Sequence, residues 1–318
     1  PDVVEGEEGL SRFFGVIVRN GGPMADDLTI TVRPEKKGKA VTTKVPRVLA
    51  EGLRKIPVEF DPKAEPLSFT IELKRGKEAL DSHPVKLKKV KETEVHKRTF
   101  ISQVDGSLQY FAVNPSSKPG KGQALYLSLH GASVEALGQA QAYGQKDWAY
   151  LAAATNRRPY GFNWEDIGRL DAFEVLALAE KQLGTDPMRR YLTGHSMGGH
   201  GTWHLSWLYP DQWAGASPAA GWISLFTYAS RAPIFDMTNP AEKSLRNATN
   251  ASDAFLFKNN LLRIPIYTLH GDADETVDVS HPRRMREFLK EHTSFKWHEE
   301  KGQGHWYDTD PEPGANCL

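Results

Sequence analysis

The chain has 318 residues, with 40 basic and 40 acidic side chains, 39% hydrophobic residues and a mean hydropathy of −0.51. This length allows one large domain together with a small one. Because basic and acidic side chains are equal in number, the chain has no net charge that would attract nucleic acid or an anionic membrane. No apolar run reaches the roughly 18 residues of a membrane helix, and a single cysteine, Cys317, excludes an intrachain disulfide.

Residues 1–95 show short segments in which apolar and polar side chains alternate. The strand candidates are 28–32, 56–60 and 67–73. Turn-forming sequences at 20–23 and 61–62 separate such segments, as is typical of half-buried antiparallel strands. We predict a small immunoglobulin-like β-sandwich over residues 1–95.

The lysine-rich run 86–94 allows two interpretations. It is either a strip that binds polyanions or a last strand whose solvated lysines discourage edge pairing, and we favour the second.

From residue 96 onward, apolar strand candidates alternate with segments of helical periodicity. The strand candidates are 98–102, 108–113, 125–129, 148–153, 190–193, 213–217, 264–269 and 295–298. This alternation predicts an α/β domain over residues 96–318, with a mainly parallel sheet and helices on both faces. Asp171 with Glu174 resembles a capping box and predicts a helix start ahead of Leu176, and Ser280 with Pro282 predicts another helix start.

The periodicity is lost between residues 222 and 262. This segment is either a cap over the site or a surface excursion of short helices. Asn247 and Asn250 begin glycosylation sequons here, which we interpret as chance matches.

The sequence Gly-His-Ser-Met-Gly-Gly at 194–199 follows a strand candidate and precedes a helical pattern. Glycines around a serine at this spacing permit a sharp strand-to-helix turn that exposes Ser196 at the carboxyl edge of the sheet. The helix N-terminus behind the turn supplies positive potential and free amide donors. Ser196 is therefore the predicted nucleophile, and the alternative is a serine that merely caps the next helix.

Three further motifs lie just beyond strand candidates. They are His-Gly-Ala at 130–132, His-Gly-Asp-Ala-Asp-Glu-Thr-Val at 270–277 and Gly-Gln-Gly-His at 302–305. The resulting order of serine, acid and histidine is that of a hydrolase with an α/β sheet.

His305 is the predicted general base because it lies in a glycine-rich loop after a strand. The competing histidines lie within helix or strand patterns: His281, His292 and His298. Both Asp272 and Asp274 lie in the acid loop.

From residue 99 to 305 these motifs resemble α/β-hydrolases of the esterase and prolyl-oligopeptidase-like group, and in particular two-domain esterases with an N-terminal immunoglobulin-like domain. The resemblance implies Asp274 as the acid, because the pattern His-Gly-x-x-Asp-x-x-Val places its aspartate there. It also implies that the backbone amides of Met197 and Ala132 donate to the oxyanion, with Ser133 as a substitute for Ala132.

The implied reaction is the hydrolysis of a small-molecule or polysaccharide ester through an acyl-enzyme, without a cofactor. A prolyl-oligopeptidase-like peptidase is the alternative enzyme, and an inert hydrolase-fold binding protein is the alternative outside enzymes. The tryptophans near the predicted mouth are candidates for stacking on the substrate, with core packing as their alternative: Trp164, Trp222 and Trp306.

His200 and His204 have the i, i+4 spacing of a helical metal pair, but the intervening residues lack the glutamate of a zinc-protease helix. We therefore predict no metal site. The run 156–158, Asn-Arg-Arg, either binds an anion or braces a loop through Glu165 and Asp166.

The chain starts without a signal-like apolar segment, so we expect a processed or cut N-terminus. A bacterial periplasmic or extracellular location is favoured over a cytoplasmic one. No pattern in the sequence predicts an oligomeric state.

Overall fold

A computed structural model describes residues 1–7, 9–10, 12–158, 161–225, 227–228 and 235–307. The chain divides into two compact units, Pro1–Val113 and Asn114–Leu318. The domain boundary after residue 95 stays a prediction.

The first unit consists of β-strands and their connections. Its strands are β1 Asp2–Val4, β2 Phe13–Arg19, β3 Leu28–Pro34, β4 Val41–Lys44, β5 Leu53–Glu59, β6 Ser68–Arg75, β7 Glu78–Lys86, β8 Lys88–Val90, β9 His96–Ile101 and β10 Leu108–Asn114, which ends at the boundary. An antiparallel sheet has the order β4-β3-β6-β7, β2 pairs antiparallel with β5, and β9 and β10 form an antiparallel hairpin. The predicted all-β region of antiparallel sheets is confirmed, and its immunoglobulin-like arrangement stays a prediction.

The core of the first unit is made by the apolar positions of the alternating strands. Ile30 and Phe69 are fully buried, and the Phe60 ring lies between the rings of Phe14 and Phe69, with centroid distances of 5.6 and 5.7 Å. In the lysine-rich run, β8 pairs in parallel with β1 and leaves its two lysines exposed.

In the second unit six strands run parallel in the order β16-β15-β14-β13-β11-β12. The strands are β11 Ala124–Leu129, β12 Ala149–Ala153, β13 Arg190–His195, β14 Gly215–Ala219, β15 Ile266–Gly271 and β16 Phe295–Glu300. The helices are α1 Ala136–Gln141, α2 Asp166–Leu183, α3 Met197–Leu208, α4 Pro240–Ala248 and α5 Ser280–Leu289. The predicted mainly parallel α/β sheet is confirmed, and its strands bring their carboxyl ends to one edge, where sites form in such sheets.

Several strands extend further towards that edge than the sequence pattern predicted. The ladders of β13, β15 and β16 continue for two residues beyond their predicted ends, through His195, Gly271 and Glu300. Polar residues and glycines occupy these last positions, so the apolar pattern that predicts a strand stops before the strands themselves end.

The predicted helix start at Asp171 is wrong, because α2 begins at Asp166, five residues earlier. The Asp171 carboxylate is fully buried and accepts hydrogen bonds from Arg157 Nε at 2.9 Å and from the Thr155 backbone N–H at 3.0 Å. Arg157 also pairs with Glu174 at 3.0 Å. The arginine therefore braces the loop after β12 through Asp171 and Glu174, not through Glu165 and Asp166.

Short helices occupy the segment between residues 222 and 262. Besides α4, the described part contains 3-10 turns at Asn250–Ser252 and Lys258–Arg263. Residues 226 and 229–234 lie outside the described residues. None of the helices in the described ranges is both long and apolar enough to cross a membrane.

The buried Arg157 brace yields a stability prediction. Replacing Arg157 by Met leaves two carboxylates that are 0 and 11% exposed without their cation. We expect the free energy of unfolding at pH 7 to fall by about 3–5 kcal/mol, because breaking a buried pair leaves an uncompensated charge. Urea titrations should show little change for Lys118→Met, whose ion pair with Asp147 is exposed. Equal losses of unfolding free energy in the two variants would contradict the role of Arg157 as a buried brace.

Candidate active site

Ser196 lies at the sharp turn between β13 and α3. Its backbone has φ 59° and ψ −118°, in the left-handed region that non-glycine residues rarely adopt. The turn is held by a hydrogen bond from the Ser196 N–H to the Ala219 carbonyl, 3.0 Å long, at the end of the neighbouring strand β14. This is the geometry expected of a nucleophile elbow.

Glycines let the start of α3 pass against the backbone of both neighbouring strands. A Cβ on Gly198 would stand 1.7 Å from the carbonyl oxygen of Leu129 in β11, and one on Gly199 would stand 2.3 Å from that of Ala219 in β14. Any side chain at either position would force the elbow away from the sheet. The two glycines are therefore required by close approach of backbone rather than by an unusual φ.

The loop after β11 lies beside Ser196. A Cβ built on Gly131 would be 3.5 Å from Ser196 Cβ and 4.0 Å from Trp306 Cη2. Ala132 follows Gly131, and Met197 is the first residue of α3, so its N–H has no acceptor within the helix. The structure thus brings the proposed oxyanion-binding segments and the nucleophile to one place.

Asp274 and His305 are joined by a hydrogen bond of 2.7 Å from His305 Nδ1 to Asp274 Oδ2. The other carboxylate oxygen accepts the backbone N–H groups of Thr276 and Val277, both at 2.8 Å. Burial alone would raise the pKa of Asp274, but the hydrogen bonds from His270, His305 and Val277 outweigh it and hold that pKa well below its ordinary value. Asp274 is therefore ionised at neutral pH and fixes which nitrogen of His305 carries the proton.

Asp272, the other acid candidate, has a different partner. Its Oδ1 accepts the Gly302 backbone N–H at 2.5 Å, so it closes the turn ahead of His305.

The competing histidines also bond elsewhere. The described contacts are His281 Nδ1 with the Ile223 N–H, His292 Nε2 with the Ile264 carbonyl, and His298 Nε2 with Glu300. Of the predicted site residues, the structure joins Asp274 to His305 and places the Trp306 ring, a substrate-binding candidate, beside the Ser196 elbow.

Two histidines of the site were not singled out from the sequence. His270 Nε2 lies 2.8 Å from the Val277 carbonyl and 3.2 Å from Asp274 Oδ2, and His195 Nε2 lies 2.8 Å from the His305 carbonyl. Both stand inside recognised motifs, one opening the acid loop and the other preceding the nucleophile. That position is the one signal in the sequence that would have found them.

The three tryptophan candidates have different environments. Trp164 is fully buried and donates its indole N–H to the His130 carbonyl at 3.1 Å. Trp222 is 2% exposed and stacks on His200 at a centroid distance of 5.2 Å. Burial favours the packing interpretation for these two. Trp306 is 51% exposed, and its role in substrate binding stays a prediction.

The histidine pair of α3 is buried beneath the elbow. The His200 and His204 rings lie 6.0 Å apart, and His200 Nε2 is 3.1 Å from Glu165. Across the described ranges, His, Cys, Asp and Glu side chains form no cluster of three or more that would hold a metal ion.

Comparisons with known proteins show which sequences and folds the chain is similar to. Residues 159–312 match the prolyl oligopeptidase family, Peptidase_S9. Over 166 residues the chain is 34% identical to an uncharacterized secreted protein of Arthroderma benhamiae, which covers 52% of this chain and 16% of that protein. Over 218 residues it is 28% identical to poly(3-hydroxyalkanoate) depolymerase C of Paucimonas lemoignei, which covers 60% of this chain and 49% of that protein. The chain thus spans less than half the length of these curated relatives.

The fold is shared with FphF, a fluorophosphonate-binding serine hydrolase of Staphylococcus aureus solved with bound substrate. The TM-score is 0.52 at 15% identity, over 67% of this chain and 91% of that chain. The chain therefore has the α/β-hydrolase fold, and its residues 159–312 are similar to the prolyl oligopeptidase family. The fold is also shared with the S-formylglutathione hydrolase FrmB of Staphylococcus aureus, with a TM-score of 0.50 at 14% identity over 67% of this chain and 92% of that chain.

The two acid-loop aspartates give a paired prediction. Asp274→Asn should reduce kcat/KM by about a thousandfold to ten-thousandfold, because the carboxylate that orients the imidazole and stabilises its charged form is lost. Asp272→Asn keeps an oxygen that can accept the Gly302 N–H and should cost less than about tenfold. Steady-state kinetics of both variants on one ester check this, and the reverse ranking would overturn the acid assignment.

The buried histidines lead to a second prediction, which concerns how the free energy of unfolding depends on pH. Burial lowers the pKa of His195, His204 and His281 to about 4. An unfolded histidine titrates near 6.5, so between about pH 6.5 and 4 the unfolded chain binds more protons. Folding stability should therefore be full above pH 6.5 and fall as the pH drops to 4, by up to about 3 kcal/mol per histidine.

Urea titrations at pH 7.0, 5.5 and 4.5 measure this loss. The free energy of unfolding of His204→Leu should decline less steeply with falling pH than that of the wild type, and the difference in slope should correspond to about one bound proton. A stability that is flat between pH 6.5 and 4.5 would contradict the neutral burial of these imidazoles.

Proposed function

We propose that this protein hydrolyses carboxylic esters through an acyl-enzyme on Ser196, with His305 as general base and Asp274 as the acid that orients it. The observation that carries the proposal is the hydrogen bond between His305 Nδ1 and Asp274 Oδ2, at the same sheet edge as the strained Ser196 elbow. A carboxylate bound to Nδ1 leaves Nε2 as the nitrogen that exchanges protons with the nucleophile and the leaving group.

The steps follow from the chemistry of these groups. His305 takes the Ser196 hydroxyl proton as the oxygen bonds to the ester carbonyl carbon. The resulting oxyanion accepts hydrogen bonds from the Met197 and Ala132 amides. The carbon–oxygen bond to the alcohol then breaks, and the alcohol leaves with the proton from His305. Water adds to the acyl-enzyme with His305 again as base, and the acid product leaves as the serine regains its proton.

The environment of Ser196 supports an ester with an apolar or aromatic part. The half-exposed Trp306 ring stands beside Gly131 and the nucleophile, where it can pack against a flat substrate group. One curated relative carries the name of a polyester depolymerase, which favours ester chemistry. We propose a small-molecule or polysaccharide ester as the substrate.

A serine peptidase of the prolyl-oligopeptidase type is the second candidate. The match of residues 159–312 to that family favours it. A panel of acetyl, feruloyl, short-chain and long-chain aliphatic esters, together with proline-containing peptides, separates the two. Hydrolysis of the peptides at a higher kcat/KM than any ester would reject the esterase in favour of the peptidase.

We also propose an extracellular or periplasmic location, supported by the relative described as a secreted protein. The N-terminal unit is proposed to be an immunoglobulin-like domain, supported by its antiparallel sheets around one apolar core.

Ser196→Ala tests the mechanism directly. We expect ester turnover to fall by at least about a thousandfold with the fold intact, because the residual rate comes only from binding and the oxyanion donors. A fluorophosphonate probe should label the wild type and not the variant, since only an activated serine reacts.

Circular dichroism and the melting temperature of the variant serve as the control for folding. A variant that keeps more than about a tenth of the wild-type rate would reject Ser196 as nucleophile. A wild-type protein that does not react with the probe would favour the inert binding protein instead.

A further inference from the structure

His195 is a buried histidine that no step of the proposed reaction uses. It is the last residue of β13 and is 0% exposed. Its Nε2 lies 2.8 Å from the backbone carbonyl oxygen of His305. Its ring also contacts the Trp306 ring at a centroid distance of 3.9 Å and lies 4.8 Å from the His305 ring.

The chemistry of this contact defines the state of the imidazole. A carbonyl oxygen only accepts, so His195 Nε2 has to carry the proton and donate it. Burial, and next the nearby His305, lower the pKa of His195 to about 4, so the ring is neutral at the pH of an ordinary assay. Nδ1 is then the unprotonated nitrogen, and it is buried without a hydrogen-bond partner among the described residues.

The carbonyl that His195 binds belongs to the general base itself. Earlier parts of the same loop are held by the acid loop, through the Ala273 N–H to the Gln303 carbonyl at 2.9 Å and the Gly302 N–H to Asp272. The His305 side chain is held by Asp274. The described contact to the His305 main chain comes from His195, which therefore fixes the peptide from which the imidazole projects.

His195 is also the covalent neighbour of Ser196. It is held rigidly at the end of a central strand, because β13 pairs with β11 on one side and with β14 on the other. We propose that His195 is a positioning residue that holds the general base in register with the nucleophile through its hydrogen bond to the His305 carbonyl. This inference rests on the proposed function, in which Ser196 and His305 react together.

The positioning role predicts that substitution of His195 slows the chemical step more than it weakens substrate binding. Without the hydrogen bond, the peptide of His305 and Trp306 can shift while Asp274 still holds the imidazole. A misplacement of about 1 Å costs on the order of a hundredfold in rate. Substrate affinity depends on the groups around the ester carbonyl of the substrate, so it should change far less.

Two amide side chains provide a matched pair of variants. The carboxamide nitrogen of glutamine reaches the position of His Nε2, whereas that of asparagine reaches only the position of Nδ1. We expect His195→Gln to keep kcat within about tenfold of the wild type, and His195→Asn and His195→Met to lower kcat by on the order of a hundredfold with KM changed less than about threefold. The rescue by glutamine is an outcome that simple packing would not give.

His204→Met controls for the loss of a buried histidine, because His204 lies in α3 and contacts His200 and Trp207 rather than the catalytic loop. It should lower the melting temperature and leave kcat within about threefold. If His195→Met fails to fold, the comparison of His195→Asn with His195→Gln still decides. Equal kcat for these two, whether both high or both low, would overturn the positioning role.

The fluorophosphonate probe separates this inference from the proposed function. A wild type that is labelled, together with an inactive Ser196→Ala and a fully active His195→Met, would overturn the role of His195 alone. A wild type that is not labelled would overturn the proposed function. Slower labelling of His195→Asn than of His195→Gln, at equal protein concentration, would support both.

Discussion

The close approach of the β13 to α3 turn to its two neighbouring strands is the constraint on which the site depends. Gly198 passes against the carbonyl of Leu129, and Gly199 against that of Ala219, closer than any side chain would allow. This contact pulls the elbow into the sheet edge and drives Ser196 into its left-handed conformation. The strain is tolerated because the strand ladders on both sides define the path of the backbone.

Buried imidazoles act as hydrogen-bonding groups around this elbow. His195 binds the main chain of His305, His270 lies against Asp274 and the Val277 carbonyl, and His130 lies between the carbonyls of Gly131 and Thr155. Burial lowers the pKa of His130 and His195, because desolvation disfavours the charged ring. The neutral His195 ring offers one donor in a fixed plane, which positions the loop of His305 without placing another charge beside His305 and Asp274.

A buried ionic cluster holds the loop that follows β12. Arg157 pairs with Asp171 and Glu174, and Asp171 accepts the N–H and the hydroxyl of Thr155. The Thr155 carbonyl in turn accepts a hydrogen bond from His130, at the start of the loop after β11. Such a cluster contributes little net stability, since desolvation of the charges offsets their attraction. Its geometric effect is to fix the loop after β12 relative to the loop after β11.

The sequence by itself determined the parallel sheet, the elbow and the order of serine, acid and histidine, because periodicity and glycine spacing are local properties. Only the tertiary structure showed the separate partners of Asp274 and Asp272, the burial of Trp164 and Trp222 beside the exposure of Trp306, and the start of α2 at Asp166. It also revealed His195, whose partner lies 110 residues away along the chain. These features depend on contacts between distant segments, where burial and partner geometry decide what an aspartate or a histidine does, and no local pattern records such contacts.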